Sequence, residues 1–176
     1  IAIDVVRGKI YWTEFGPGNI RRSNLDGSQV ETLVSGLNSP SGITIDLVNE
    51  KLYAITYNDT MILSADLDGS NVATLLSGIV GQGVGVAVNP NTQKLYYSLR
   101  DSNVYVVDTD GNNSTVLVTG LSLVHGVAID GDKIYMFSSF SRQLMRANLA
   151  DGSGLELIKN ISTEFLPKFS LVLSII

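Results

Sequence analysis

Four Asp-Gly pairs sit at near-equal intervals along this chain. They lie in Leu25-Asp26-Gly27-Ser28, Leu67-Asp68-Gly69-Ser70, Thr109-Asp110-Gly111-Asn112 and Ala150-Asp151-Gly152-Ser153, so the pair recurs after 42, 42 and 41 residues. Two further registers keep the same beat. Asp4, Asp46, Asn89 and Asp130 each close a short apolar run, and Tyr11, Tyr53, Tyr96 and Tyr135 follow them by seven, seven, seven and five residues. An internal repeat of this size, built from short alternating strands and one tight turn, is a small sheet that must stack on its neighbours to bury its faces.

One unit shows the grammar. Residues 1–4 form a short apolar inner strand, Lys9 to Thr13 a β-branched and aromatic second strand, Asn19 to Asn24 a third and Val30 to Val34 a fourth. Asp26-Gly27 is read as a φ > 0 hairpin turn, and the stretch from Gly36 to Gly42, with Pro40, as the crossing to the next unit. Laid over the other three units, this pattern leaves no room for helices. The expected fold is all-β: a β-propeller arc of four four-stranded blades over residues 1–162, divided near 1–41, 42–83, 84–125 and 126–162. Pro167 lies 127 residues after Pro40, so residues 163–176, with Phe169 to Leu173, are expected to begin a further blade or to dock as a single strand. The chain opens at Ile1 inside a strand pattern, which reads as a segment cut from a longer polypeptide.

Composition narrows the function classes. A formal charge of −5, a pI near 4.7 and no basic run beyond Arg21-Arg22 repel a phosphate backbone, so nucleic acid is excluded as a partner. Cysteine is absent, which removes disulfides, thiolate metal sites and thiol nucleophiles. No segment holds the roughly 20 apolar residues of a membrane-spanning helix.

Tyr11-Trp12-Thr13-Glu14, the Arg-Ser-Asn-Leu-Asp-Gly-Ser run from Arg22 to Ser28, and Pro40-Ser41-Gly42-Ile43-Thr44-Ile45-Asp46 together resemble the YWTD, or class B, repeats of the low-density lipoprotein receptor. The resemblance covers residues 1–160 and implies a six-bladed propeller in an extracellular receptor or matrix protein, of which four blades are present. It implies a buried Tyr in each blade at Tyr11, Tyr53, Tyr96 and Tyr135, and an inter-blade hydrogen bond from the acidic fourth residue, which here is Glu14 alone. The later units carry Tyr53-Ala54-Ile55-Thr56, Tyr96-Tyr97-Ser98-Leu99 and Tyr135-Met136-Phe137-Ser138, so the Trp and the acid of the signature are lost in them.

Candidate chemistry is sparse. Asp4, Asp46, Asn89 and Asp130 form a recurring set that a calcium ion in a central channel would suit, but each ends a strand before a turn, where capping the turn is the ordinary task. His125, the single histidine, has no paired acid nearby in sequence and is read as a channel-lining or turn residue. There is no Gly-x-Ser-x-Gly elbow, and Gly81-Gln82-Gly83-Val84-Gly85 precedes no helix, so its glycines serve a crossing between blades. No catalytic residue, cofactor-binding residue or metal ligand is assigned. Arg21, Arg22, Arg142 and Arg146 are the candidate partner contacts. Asn58, Asn112, Asn113 and Asn160 head Asn-x-Ser/Thr triplets and are candidate glycosylation sites. The expected function is a non-enzymatic extracellular protein-binding module. The alternatives are a matrix or filament subunit whose open blade faces are covered by neighbouring chains, and a six-bladed-propeller hydrolase or lactonase with a channel metal.

Overall fold

A computed structural model describes residues 1–161, and its regular structure is β-strand throughout. The first sheet holds β1 (Ala2–Asp4), β2 (Lys9–Glu14), β3 (Asn19–Asn24) and β4 (Glu31–Val34). The second holds β5 (Pro40–Asp46), β6 (Lys51–Thr56), β7 (Ile62–Asp66) and β8 (Ala73–Leu76). The third holds β9 (Gly83–Asn89), β10 (Lys94–Leu99), β11 (Val104–Asp108) and β12 (Thr115–Val118). The fourth holds β13 (Val124–Asp130), β14 (Lys133–Ser138), β15 (Gln143–Asn148) and β16 (Glu156–Asn160). Each is an antiparallel meander with its strands in chain order. The fifth inner strand expected near Phe169 lies outside the described residues.

The sheets are copies of one another in register as well as in order. A β-bulge falls between Ile20 and Arg21, Ile62 and Leu63, Val104 and Tyr105, and Leu144 and Met145, at the pairing of third and fourth strands. An extra residue there increases the local twist, so its recurrence gives four blades the same curl at the rim. The second and third strands are tied at one end by Lys9 to Asn24 (2.7 Å), Lys51 to Asp66, Lys94 to Asp108 (2.6 Å) and Lys133 to Asn148.

The core lies between sheets. Tyr11 of the first sheet packs among Ile43, Leu52, Ala54 and Leu63 of the second. Tyr53 packs with Val86, Leu95 and Tyr97 of the third, and Tyr96 with Val124, Ile134 and Met136 of the fourth. These three tyrosines are 1%, 4% and 3% exposed, whereas Tyr135, which has no later sheet among the described residues, is half-buried. Contacts run from the first sheet to the second, third and fourth in turn, with none of comparable extent between the first and the fourth. The described residues therefore form an open arc.

The repeated turn differs from the hairpin expected of Asp-Gly. Within each Asp-Gly pair only the glycine takes φ > 0, at 81° for Gly27, 88° for Gly69, 87° for Gly111 and 71° for Gly152. The preceding Asp instead accepts the backbone N–H two residues on, at 2.9 Å from Ser28, Ser70, Asn112 and Ser153. The strands are joined through a longer loop because the fourth strand must step out to meet the neighbouring blade. A Cβ at Gly69, Gly111 or Gly152 would stand 2.7, 2.1 or 2.0 Å from the carbonyl oxygen of Leu33, Leu75 or Leu117, the outer-strand residue of the preceding sheet. At Gly27 it would meet nothing within 4 Å, since among the described residues no sheet stands before the first. Nearer the axis, a Cβ at Gly42 would lie 2.7 Å from Val84 O, so the inner strands meet backbone against backbone.

Gly27→Ala and Gly111→Ala share the left-handed backbone cost of about 1–2 kcal/mol. Gly111→Ala adds the overlap with Leu75, worth about 1–3 kcal/mol more. Urea unfolding of both variants should place Gly111→Ala as the less stable; equal losses would show that the turn does not wedge against the preceding sheet.

Candidate functional site: an aromatic and arginine face

Because each sheet is an up-and-down meander, its strand ends divide between two rims. The loops after second strands and the crossings from fourth to first strands lie on one rim; the turns after first and third strands lie on the other. The rims differ in charge. The second carries the Asp-Gly turns and the Asp4 series, with Glu50, Asp66, Asp108 and Asp132, against Arg7, Lys9, Lys51, Lys94 and Lys133. The first carries Glu14, Asp59 and Asp101 against Arg100 and Arg142.

On the first rim, the residue just after each second strand is Phe15, Tyr57, Arg100 or Ser139. In the later three blades its backbone is pinned: Tyr57 N–H donates to Ser39 O (2.9 Å), Arg100 N–H to Gln82 O (2.7 Å) and Ser139 N–H to Leu123 O (3.0 Å). Ser39 and Leu123 take φ of 58° and 49° to turn those carbonyls toward the loop. The side chains then join across blades. Phe15 meets Tyr57 edge-on at 5.5 Å between ring centroids. The Tyr57 hydroxyl donates to Gln82 Oε1 (2.7 Å) and accepts from Arg100 Nη1 (2.8 Å). His125 stands beyond Arg100, exposed at the bulge where β13 shifts register against β14. Partial desolvation, and then the Arg100 charge, lower its pKa below the ordinary value. Phe15 and Phe140 are 51% and 78% exposed on this rim, and Val80 on the crossing into β9 is 95% exposed.

This strip assembles residue types that concentrate binding energy, an Arg and aromatic rings held on rigid loops. The described arginines elsewhere are engaged by carboxylates: Arg7 by Asp4 and Glu50, Arg21 by Glu14, Arg22 by Glu31 and Arg146 by Glu156. Arg100 and Arg142 have no carboxylate within ion-pair distance among the described residues.

The residues singled out from sequence are distributed differently. Of the four candidate arginines, Arg142 lies on this face. Arg21 and Arg22 lie on β3 and Arg146 on β15, and Arg22 also donates to Leu67 O of the next blade at 2.8 Å. The Asp4 carboxylate is buried and accepts Arg7 N–H (2.9 Å), while Asp46 accepts Val48 and Asn49 N–H (both 2.9 Å) and Asn89 accepts Asn91 N–H (3.1 Å). They cap turns. Asp130, before a shorter turn, is exposed. Among the described residues no three His, Cys, Asp or Glu side chains are grouped to hold a metal. Glu14 corrects the expected inter-blade bond: its carboxylate accepts from Asn19 (3.1 Å) and Arg21 (3.3 Å) of its own blade, and the link to the second blade is Thr13 Oγ1 to Ser41 O (2.7 Å). The glutamate side chain reaches back along its own hairpin, leaving the shorter threonine to cross. Ser41 Oγ extends that link to Gly83 O (2.8 Å) in the third blade. Trp12 lies half-buried on the first sheet's outer face. Asn58, Asn112, Asn113 and Asn160 are exposed. Asn58 adjoins Tyr57 on the aromatic rim, with its amide on Asn38 Oδ1 (3.2 Å) and Ser39 Oγ (2.8 Å).

Residues 8–47 match the low-density lipoprotein receptor repeat class B. This segment is similar to a class B repeat. It spans three strands of the first sheet and the inner strand of the second, so one repeat straddles two blades and ties them covalently. The other blades keep its architecture with divergent sequence. A chain from the crystal structure of a nidogen/laminin complex superposes with a TM-score of 0.81 at 23% identity, over 90% of this chain and 60% of that one. A putative TolB from Agrobacterium tumefaciens superposes with a TM-score of 0.69 at 16% identity, over 85% of this chain and 59% of that one. At these identities the likeness is one of fold, and this chain spans about 60% of the length of each. The nidogen match and the four repeated sheets define a β-propeller arc. No curated protein matches the chain.

His125 gives the face a pH signature. An unfolded chain protonates it near about 6.5, whereas the folded chain, with its lowered value, takes the proton only at lower pH. The folded state thus binds fewer protons in that window, and the stability linked to His125 is complete above it and lost as pH falls through it. His125→Gln should show a smaller drop in melting temperature than the parent on acidification from neutral pH through that window; parallel curves would count against a lowered His125 value.

Proposed function

We propose that this chain is a non-enzymatic protein-binding part of an extracellular propeller, and that it engages its partner through the Phe15, Tyr57, Arg100 and His125 strip. The observation that carries this reading is the strip itself: consecutive blades place an aromatic ring, a second ring and an oriented guanidinium in contact on one rim, with the backbone of Tyr57 and Arg100 already pinned by hydrogen bonds. Little loop ordering remains to oppose association. The class B repeat and the fold shared with a chain of a nidogen/laminin complex support a protein ligand and an extracellular setting.

The arc is read as four blades of a six-bladed ring. Its match to 60% of the nidogen chain fits four of six, and the half-exposed Tyr135 and the unfilled space at Gly27 mark the two faces that further blades would cover. Those same faces favour a second reading, a matrix subunit whose blade edges are sealed by neighbouring chains. Light scattering separates the two: concentration-dependent growth of the isolated chain, suppressed by Tyr135→Lys, would favour the subunit.

A secreted-protein array that includes laminin should yield a partner whose affinity falls at least about tenfold, or about 1.4 kcal/mol, with Phe15→Ala and with Arg100→Ala. Glu156→Ala, on β16 away from the rim, should leave it unchanged. A partner indifferent to both rim changes would overturn this assignment.

A further inference from the structure

The chain holds five Asp-Gly bonds, and the fold treats one of them unlike the rest. At the four repeated turns both reacting groups of an Asp-Gly bond are occupied. The glycine nitrogens of Gly27, Gly69, Gly111 and Gly152 each donate at 2.9 Å, to the carbonyls of Asn24, Asp66, Asp108 and Asn148. The aspartate carboxylates accept the backbone N–H two residues on, and Asp26 and Asp68 also accept the Ser28 and Ser70 hydroxyls at 2.6 Å. These bonds favour the ionised carboxylate, and they hold Asp26, Asp68 and Asp151 below the usual carboxylate range.

Asp130-Gly131 lacks both restraints. It stands where the Asp4 and Asp46 carboxylates are buried against turn N–H groups, but the turn between β13 and β14 is shorter there and consists of Gly131 and Asp132, between the paired Asp130 and Lys133. Asp130 is exposed, and among the described residues no donor reaches its carboxylate and the Gly131 nitrogen donates to no carbonyl. Nothing lies within 4 Å of where a Gly131 Cβ would be. Attack of a backbone nitrogen on the preceding carboxyl needs a glycine-like absence of bulk, a free nitrogen and an unrestrained carboxyl. Of the five Asp-Gly pairs, all within the described residues, only this one offers all three.

We propose that Asp130-Gly131 is the site at which the folded protein converts aspartate to isoaspartate. The Gly131 nitrogen bonds to Asp130 Cγ, and its proton leaves with the carboxyl hydroxyl as water. The resulting succinimide takes up water at either carbonyl and reopens, to aspartate or to isoaspartate. The net change is an isomerisation that needs no oxidant, reductant or further reactant. It inserts the Asp130 Cβ into the main chain of the β13–β14 turn, on the rim opposite the aromatic strip, so it is independent of the proposed binding face.

The test is ageing of the whole chain at neutral pH and physiological temperature, with and without urea. Isoaspartyl groups are then methylated by isoaspartyl methyltransferase with S-adenosylmethionine and located by peptide mapping. In the folded chain the peptide holding Asp130 should accumulate label at least about fivefold faster than those holding Asp26, Asp68, Asp110 or Asp151, the factor that loss of one hydrogen bond's restraint sets. In urea the five should converge, and Asp130→Ser should abolish the dominant folded-state signal. Equal rates in the folded chain, a faster rate at any repeated turn, or no folded-state signal while urea releases all five would overturn the assignment.

Discussion

The interaction on which this architecture depends is the burial of one blade's tyrosine in the next blade's core. A four-stranded sheet of this size exposes apolar side chains on both faces, and its own hydrogen-bond ladder does nothing to cover them. Tyr11, Tyr53 and Tyr96 cover them by crossing the gap, each removing a large aromatic surface from water, of the order of 150–250 Å² per ring. Ladder hydrogen bonds are exchanged for bonds to water and contribute little net stability, so sheet-to-sheet apolar burial decides whether the arc holds. The glycine turns follow from that constraint. Sheets drawn together until tyrosines are nearly inaccessible bring the turn of one blade within Cβ distance of the outer strand of the previous one, and only glycine fits at Gly69, Gly111 and Gly152.

Rigid stacking also explains why the proposed binding face lies on a rim. A blade fixed on both faces has freedom to vary only at its rims, and the two rims have diverged. One repeats Asp-containing turns that satisfy their own backbone and keep a net acidic surface. The other abandons the repeat: two rings, a guanidinium and a hydroxyl, from Phe15, Tyr57, Arg100 and Ser139, share one position. Side chains that differ at equivalent places, and that touch across blades, are what recognition of an asymmetric partner needs. The same stacking shapes chemistry elsewhere, since the four Asp-Gly turns shaped by the repeat are restrained and the one in a non-repeating hairpin is not.

Much of the fold was legible because periodicity is a global signal carried by many weak local ones. The Tyr, Asp and Asp-Gly registers locate sixteen strands, and the capping role of Asp4 and Asp46 follows from their place before turns. The loop geometry was less legible. Asp-Gly alone indicates a two-residue hairpin, and the longer loop reflects the bulge and the neighbouring sheet. The lysine ties from Lys9, Lys51, Lys94 and Lys133 to facing Asn or Asp keep the same register, but a surface lysine in sequence has no visible partner. The aromatic rim was hidden for a related reason: Phe15 and Tyr57 look like core residues until the strand end they follow is located. Glu14 shows the limit of a signature, because its reach across blades or along its own hairpin depends on side-chain length and on Asn19 and Arg21 as neighbours.

The sequence by itself determined the repeat, the all-β class and the acidic, cysteine-free composition, because these depend on residue order and composition alone. Among the described residues, tertiary structure decided which arginines are ion-paired, which rim displays the rings, and which Asp-Gly bond is unguarded. Those outcomes depend on side chains that are distant in the chain and adjacent in space, such as Tyr57 and Arg100, and no local pattern encodes the distance between them.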